Sequence, residues 1–439
     1  MQNSKMMLIA GAALSATTFS AIAETPAYQN ELRADAAARA SLLQTGANAG
    51  HNSNGFYIGS GDGNFNLYVG GYTQFTYTLN FRDNDDDALG GESEDLTNGF
   101  DAKRTRLIFQ GNILNPNLSF YIEGGFDGAG DSESSNNGNF NLLEAWGNYN
   151  FDNGWGVKFG QFRVPLTREN MVDARHQLAA DRSVTDSVFA ADRTQGVAVH
   201  YRGDNLGFVA SINDGAGNRS TPFWTGATNA GGLALEADIA ITARLEYMFA
   251  GDWGRFEDFT SFRNSDDIAV LLGGSVHWQQ GGETAAFAGG AEVAMTDYDL
   301  FTYSIDLSVE GNGWNAFGAF TGVTVDASGA SDVDNYGWLI QGGFFVADQL
   351  EIFGRWDSVY ADNTFDPADE DFNTLTVGAN YYFVPESHAA KFTFDVQYFL
   401  DDPSESAPVA ATAPSSMTAL VPDTEDGQFA LRAQMQLVF

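Results

Sequence analysis

Arg163, Arg168, Arg175, Arg182 and Arg193 recur through the segment 161–195, with Glu169, Asp173, Asp181, Asp186 and Asp192 between them. A guanidinium stays charged at any physiological pH and presents its N–H donors as a planar fork that matches carboxylate and phosphate oxygens. At this density the residues suit attraction of anions rather than bond making. Ten of the 21 Lys and Arg fall between Lys103 and Arg202, and Arg104, Arg106, Lys158 and Arg202 join the five loop arginines as candidate anion-contacting, pore-lining residues. Two readings of the segment stay open. It is long and helix-compatible around "RENMVDARHQLAADR", so it either folds inward and narrows a lumen or pairs its charges on a surface.

Other chemistry finds little support. The histidines His51, His176, His200, His277 and His388 form no metal-binding spacing, and there is no G-x-S-x-G. No catalytic residue, metal or cofactor is expected. "DNDDDALGGESE" (83–94) places acids at EF-hand positions, but Ala88 stands where the sharp turn demands glycine, so it reads as a solvated acidic loop. The net charge of −37 argues against nucleic acid as a partner and for a large solvated acidic surface.

The elements that must position the arginines are strands. In "NFNLYVGGYTQFTYTLNF" (64–81), apolar or small residues alternate with Asn, Gln and Thr, the period of a strand with one greasy and one wet face. The same alternation marks "TRLIFQGNI", "LSFYIEGGF", "TLTVGANYYF", "KFTFDVQYFL" and the final "FALRAQMQLVF". Sixteen such strands are expected, starting near 64, 100, 117, 140, 155, 195, 205, 238, 268, 298, 313, 335, 349, 371, 389 and 427. Short turns such as "NPN", "DNG" and "GNG" alternate with long polar loops; the connection at 251–267 is too long for the short side. An even number of amphipathic strands with that rhythm describes a transmembrane antiparallel β-barrel with short periplasmic turns and long extracellular loops. Closure is compulsory, since no backbone amide can stay unpaired in hydrocarbon.

Phase then assigns the charges. Arg104, Arg106, Lys158, His200, Arg202, Arg244, Arg355, Lys391 and Arg432 share the polar, inward phase with Glu123, Glu144, Glu246, Asp306, Glu351, Asp357 and Asp395. The lumen wall is thus near balance, and the −37 comes mainly from loops.

The N-terminus "MQNSK" followed by "MMLIAGAALSATTFSAIA" reads as an export signal over 1–23. Residues 24–63 are expected to be a periplasmic segment, helical around 28–44 or flexible, and 64–439 the barrel in the outer membrane of a Gram-negative-type bacterium. The chain has no cysteine, so disulfides do not close the fold. Outer-membrane lipid and lipopolysaccharide are the expected surroundings.

"FDAKRTRLIFQGNI", "VKFGQFRVPLTREN", "DRTQGVAVHY" and "QGGFFVADQLEIFGRWD" resemble the phosphate-selective porin O and P family, in order along the chain. The resemblance implies a sixteen-stranded barrel, commonly trimeric, that conducts small anions such as phosphate past basic residues. Arg104 and Arg106 match the family's basic pair, Arg182 its "ERS" segment and Arg193 its basic residue before the next strand. Terminal Phe439 resembles the signal read by barrel-assembly machinery. Two departures stand out: "AKRTR" replaces a more regular basic run, and the loops are heavily acidic. The expectation is therefore an anion-conducting porin, against a general or cation-preferring porin of the same fold, or a structural envelope-anchoring barrel.

Overall fold

The computed structural model describes residues 48–52, 55–82, 95–126, 140–217, 237–263, 267–282, 286–288, 291–293, 297–329, 331–362, 370–415 and 417–439. The signal at 1–23, the helix at 28–44 and the acidic loop at 83–94 lie outside these residues.

β1 (Asn66–Phe81), β2 (Leu96–Asn112), β3 (Leu118–Gly125), β4 (Asn141–Asn150) and β5 (Trp155–Arg163) form a meander. β6 (Arg193–Arg202), β7 (Leu206–Asn213), β8 (Ile239–Ala250), β9 (Ala269–Gly281), β10 (Tyr298–Gly311) and β11 (Trp314–Ala327) extend it. β12 (Val333–Ala347), β13 (Leu350–Tyr360), β14 (Phe372–Tyr382), β15 (Ala390–Phe399) and β16 (Phe429–Val438) complete it. Each strand pairs antiparallel with its neighbour, and β16 returns to β1 in a register from Phe429 opposite Phe81 to Val438 opposite Tyr72. The result is a closed barrel of sixteen antiparallel strands, as the alternation requires. The closing pair ends where Gly71 and Phe439 exchange backbone hydrogen bonds of 2.8 and 2.9 Å. A Cβ on Gly71 would stand 2.3 Å from the Arg106 carbonyl oxygen, so only glycine fits there.

A short hairpin, Asn48–Asn52 and Gly55–Gly59, precedes the barrel in the stretch read from sequence as helical or flexible. Its second strand pairs with β1 from Phe56 opposite Val69 to Gly59 opposite Asn66. The reason is an edge. β1 runs on past its pairing with Phe439, and the hairpin covers backbone groups that would otherwise lack partners.

The two faces obey the expected phase. Leu245, Ile305, Ile340 and Val377 point outward and are 52, 53, 60 and 51% exposed, as a lipid-facing belt must be. Charged residues of the same strands point inward and are buried. Arg244 donates to Asp306 at 2.7 and 2.9 Å and to Glu246 at 2.9 Å. Arg432 holds Asp395 through bonds of 2.6 and 3.0 Å with neither side chain exposed. One charge breaks the simple alternation. A bulge opposite Phe75 shifts the β1–β2 register between Gln74 and Thr76, and it turns Lys103 as well as Arg104 into the barrel. Lys103 there meets Asp181.

Asp395 tests how much this inner network matters, because it also accepts from the Ala180 amide at 2.9 Å. Asp395→Ala removes the ion-pair partner of the buried Arg432, at a cost of about 3–5 kcal/mol. The temperature at which the folded band converts to the unfolded one on a detergent gel should fall clearly. Asp348→Ala, which removes an exposed partner of Arg263, should leave it nearly unchanged. Equal behaviour of the two variants would show that the inner pairs do not hold the barrel.

Candidate functional site: a two-chamber passage beside an inner loop

The β5–β6 connection, residues 164–192, lies inside the barrel. Its helix-compatible stretch forms only one turn, α1 (Arg168–Met171), and a 3-10 turn at Ala174–His176, followed by a short helix, α2 (Val184–Phe189). The wall supplies what an irregular buried backbone lacks. Lys391 donates to the Gln177 carbonyl at 2.8 Å, Asn380 to Leu178 at 2.9 Å and Arg355 to Asp181 at 2.7 Å. Asp357 accepts from the amides of Val184 and Thr185 at 3.0 and 3.3 Å, capping α2 from the wall. Ser275 donates to the Leu166 carbonyl at 2.8 Å and Gln74 to Ala174 at 3.1 Å. Gly337 of β12 leaves room for α2, since a Cβ there would lie 2.4 Å from the Phe189 ring.

Two further segments enter the lumen, and neither was foreseen. The long β15–β16 loop brings α3 (Ala407–Thr412) and the turn after it over α2. Val409, Ala413, Ala419 and Leu420 bury against Val184, Phe189, Val359 and Phe372. Lys103 donates to the Met417 carbonyl at 3.0 Å and Asn80 to Ala419 at 2.8 Å. The over-long β8–β9 connection also turns inward, from the short-turn end. Its Phe259 packs against Phe317, the rings tilted with centroids 4.7 Å apart, and Thr260 shares a 3.1 Å bond with the Tyr382 hydroxyl. The apolar "PVAATAP" and "FEDFTSF" runs, out of place in solvated connections, were the available signals.

The inner loop is fastened mainly to β8–β9, β13–β16 and β1, and it leaves space against β2–β7. Two cavities occupy that side. The smaller, about 270 Å³, is bounded by Tyr72, Arg104 and Arg106 of the wall, by Arg163 and Arg193, by Asp181, Arg182, Asp186 and Asp192 of the inner loop, and by Thr412, Ser415, Met417 and Thr418 above. The larger, about 820 Å³, lies towards the short-turn end between Trp146, Lys158, His200, Arg202 and Glu246. Arg163 borders both cavities. Its guanidinium donates to Glu144 at 2.9 Å and to the Asn170 carbonyl at 2.9 Å, so one side chain both anchors the inner loop and stands between the chambers.

The predicted arginines therefore separate. Arg104, Arg106, Arg163, Arg182 and Arg193 come together around the smaller cavity. Arg104 is held by Asp181 at 2.5 Å and by Gln74 at 3.0 Å; Arg193 donates to Asp192 at 2.9 Å. Arg182 donates to the carbonyls of Glu169 and Val172 at 3.0 and 2.8 Å. Lys158 and Arg202 border the larger chamber, each over an indole ring: Lys158 on Trp146 at 4.2 Å, Arg202 on Trp253 at 4.1 Å. Arg168 and Arg175 line neither. Arg168 is buried behind the inner loop, donating to the Phe256 carbonyl at 2.7 Å and to Ser308 at 2.9 Å. Arg175 pairs with Asp173 at 3.1 Å and lies over the Tyr72 ring. Both fasten the loop, because carbonyls, hydroxyls and rings there need a donor more than the lumen needs a charge.

The inner loop's carboxylates divide likewise. Burial pushes the Asp181 carboxyl up, but Arg104 and Lys103 outweigh it and hold it well below the usual carboxylate range. Burial, and then the neighbouring Glu169 carboxylate, push Asp186 up to about 7 against the pull of Arg182.

Comparison with known proteins gives the same fold. The family model of the phosphate-selective porin O and P family matches residues 75–249, which run from β1 into β8. No curated protein matches the chain. An anion-selective porin from Comamonas acidovorans superposes with a TM-score of 0.56 at 13% identity, covering 85% of this chain and 99% of that one. OmpF of Salmonella typhi, in complex with daunomycin, gives 0.51 at 10% identity, covering 86% and 99%. OmpT of Vibrio cholerae in its trimer form gives 0.50 at 14% identity, covering 84% and 99%. The chain folds as a closed sixteen-stranded barrel with an outward apolar belt, the fold of these porins, and over residues 75–249 it is similar to the phosphate-selective porin O and P family.

Proposed function

We propose that this porin prefers anions, passing small hydrophilic anions such as phosphate through the cavity between the inner loop and β2–β6, and that it works as a homotrimer. The observation that carries the reading is the charge at the narrow cavity: five arginines face three aspartates. Selectivity follows the charge at the constriction rather than the sum over the molecule. The family match and the anion-selective neighbour from Comamonas acidovorans support the same reading, as the trimer form of the Vibrio cholerae neighbour supports the assembly. The −37 favours the opposite outcome, a cation-preferring pore, if the loops rather than the cavity set permeation.

The reversal potential of the purified protein in a bilayer under a KCl gradient decides between them. It is expected to lie on the chloride side; a potassium-side value would overturn the anion reading. Arg163→Ala should raise single-channel conductance and reduce chloride preference together, because it removes a charge and a post between the chambers. Conductance that stays the same would place the ion path elsewhere.

Acidity supplies a third check. Asp186, with its carboxyl raised to about 7, takes up a proton as pH falls through that value and removes one negative charge from the cavity. Chloride preference should thus rise between pH 8 and pH 6, and the rise should vanish in Asp186→Asn. A pH-independent wild type, or an unchanged response in the variant, would rule out Asp186 as the titrating group.

A further inference from the structure

The narrow cavity holds more hydrogen-bond acceptors than a phosphate filter calls for. Phosphate near neutral pH is an acceptor-rich oxyanion, best met by N–H and O–H donors. Here several donors are already committed. Arg104 gives its guanidinium to Asp181 and Gln74, Arg163 to Glu144 and the Asn170 carbonyl, and Arg182 to the carbonyls of Glu169 and Val172. The hydroxyl protons are committed too. Thr412 donates to the Pro408 carbonyl at 2.7 Å, Thr418 to Ala413 at 2.5 Å and Ser187 to Ser183 at 3.3 Å. What these hydroxyls turn to the cavity is lone pairs, and Asp186 and Asp192 add carboxylates that keep acceptor capacity beyond the bonds from Thr167, Asn170 and Arg193, since each carboxylate offers about four lone-pair sites. Among the lining side chains five arginines still face three aspartates, although Glu144 behind them pairs with Arg163 at 2.9 Å and lies 3.7 Å from the Nε of Arg193. The site thus asks for a solute that is negative once and carries several O–H donors. The space is about 270 Å³, room for roughly nine waters at the ~30 Å³ each takes in the liquid, so it holds more than a single small ion.

We propose that the cavity, roofed by the β15–β16 loop, selects hydroxylated organic monoanions of the sugar-acid class over inorganic phosphate. The carboxylate of such a solute meets the arginine side, and its hydroxyls donate to Asp192, Asp186 and the threonine oxygens of the roof. This deepens the anion-porin reading and rests on it.

The test uses the full-length protein in a planar bilayer carrying a chloride current, with glucuronate or inorganic phosphate added at pH 8. Glucuronate is expected to halve the current at a several-fold lower concentration than phosphate. Asp192 sits at a φ of +48°, a backbone region that asparagine tolerates, so Asp192→Asn keeps the turn while replacing an acceptor by a donor. Losing a hydrogen bond to a charged acceptor should close most of that several-fold gap between the two anions' blocking concentrations. Thr412→Val removes one roof oxygen and is the second variant, expected to weaken glucuronate block alone. Phosphate blocking as well as or better than glucuronate in the wild type would overturn the proposal, as would variants that shift both anions equally. A protein that carries no chloride current would instead sink the porin reading beneath it, and the absence of any current distinguishes that failure.

Discussion

The structure turns on one constraint: a loop placed inside a barrel must have its carbonyls and amides satisfied by the wall. Residues 164–192 contain only three short turns of helix, so most of their backbone groups have no partner within the segment. The wall answers with long side chains of matched type. Lys391, Asn380, Arg355, Gln74, Gln434 and Gln436 reach inward as donors to carbonyls, while Asp357 and Asp395 accept from amides. Their presence on β1 and β13–β16 explains why the inward face of those strands is so polar although little of it meets solvent. The burial of the charges and the path of the loop are one fact.

That fastening is one-sided, and the passage follows from it. On the β9–β14 side Phe259, Phe317, Leu339 and Phe353 close over Leu178 and Ala179, with the Arg244–Asp306 pair nearby on β8 and β10. On the β2–β7 side the loop presents Asp181, Arg182, Asp186 and Asp192 without an apolar partner surface, and the wall there presents arginines and aromatic rings. Apolar packing therefore pulls the loop away from the wall that keeps its cavities. The inward β8–β9 connection completes the asymmetry, since Arg168 ties it to the loop through the Phe256 carbonyl.

Much of this was legible in the residues. Period-two alternation gave all sixteen strands, most within two residues of their starts, because a lipid face tolerates no exceptions. The inward phase of Arg244, Arg355, Lys391 and Arg432 was legible for the same reason. Lys103 was not, since a bulge reverses the parity on which such a reading depends. The nine candidate cations were legible only as one group: Arg104, Arg106, Arg163, Arg182 and Arg193 share the smaller cavity, Lys158 and Arg202 border the larger, and Arg168 and Arg175 line neither. Spacing in a loop carries no phase, so nothing in the sequence separates an arginine that faces water from one that holds a carbonyl. The inward fold of the β15–β16 loop was missed because its polar ends, "DDPSES" and "DTEDG", mask the apolar centre that buries Val409 and Leu420.

The contrast between a molecule of net charge −37 and a cavity with surplus arginine is resolved by screening. Exposed charges act across salt water, where the Debye length is ~8 Å at physiological ionic strength, so an exposed carboxylate farther than that from the cavity contributes little there. Inside the cavity the groups are largely buried, Arg104, Arg106 and Arg193 being 6, 3 and 7% exposed, and their fields are screened much less. Pairing with Asp181 and Asp192 fixes where the guanidinium planes lie, and among the lining side chains five arginines still face three aspartates. The buried pairs around Arg163, rather than the net charge of the molecule, therefore set the local field between the two cavities.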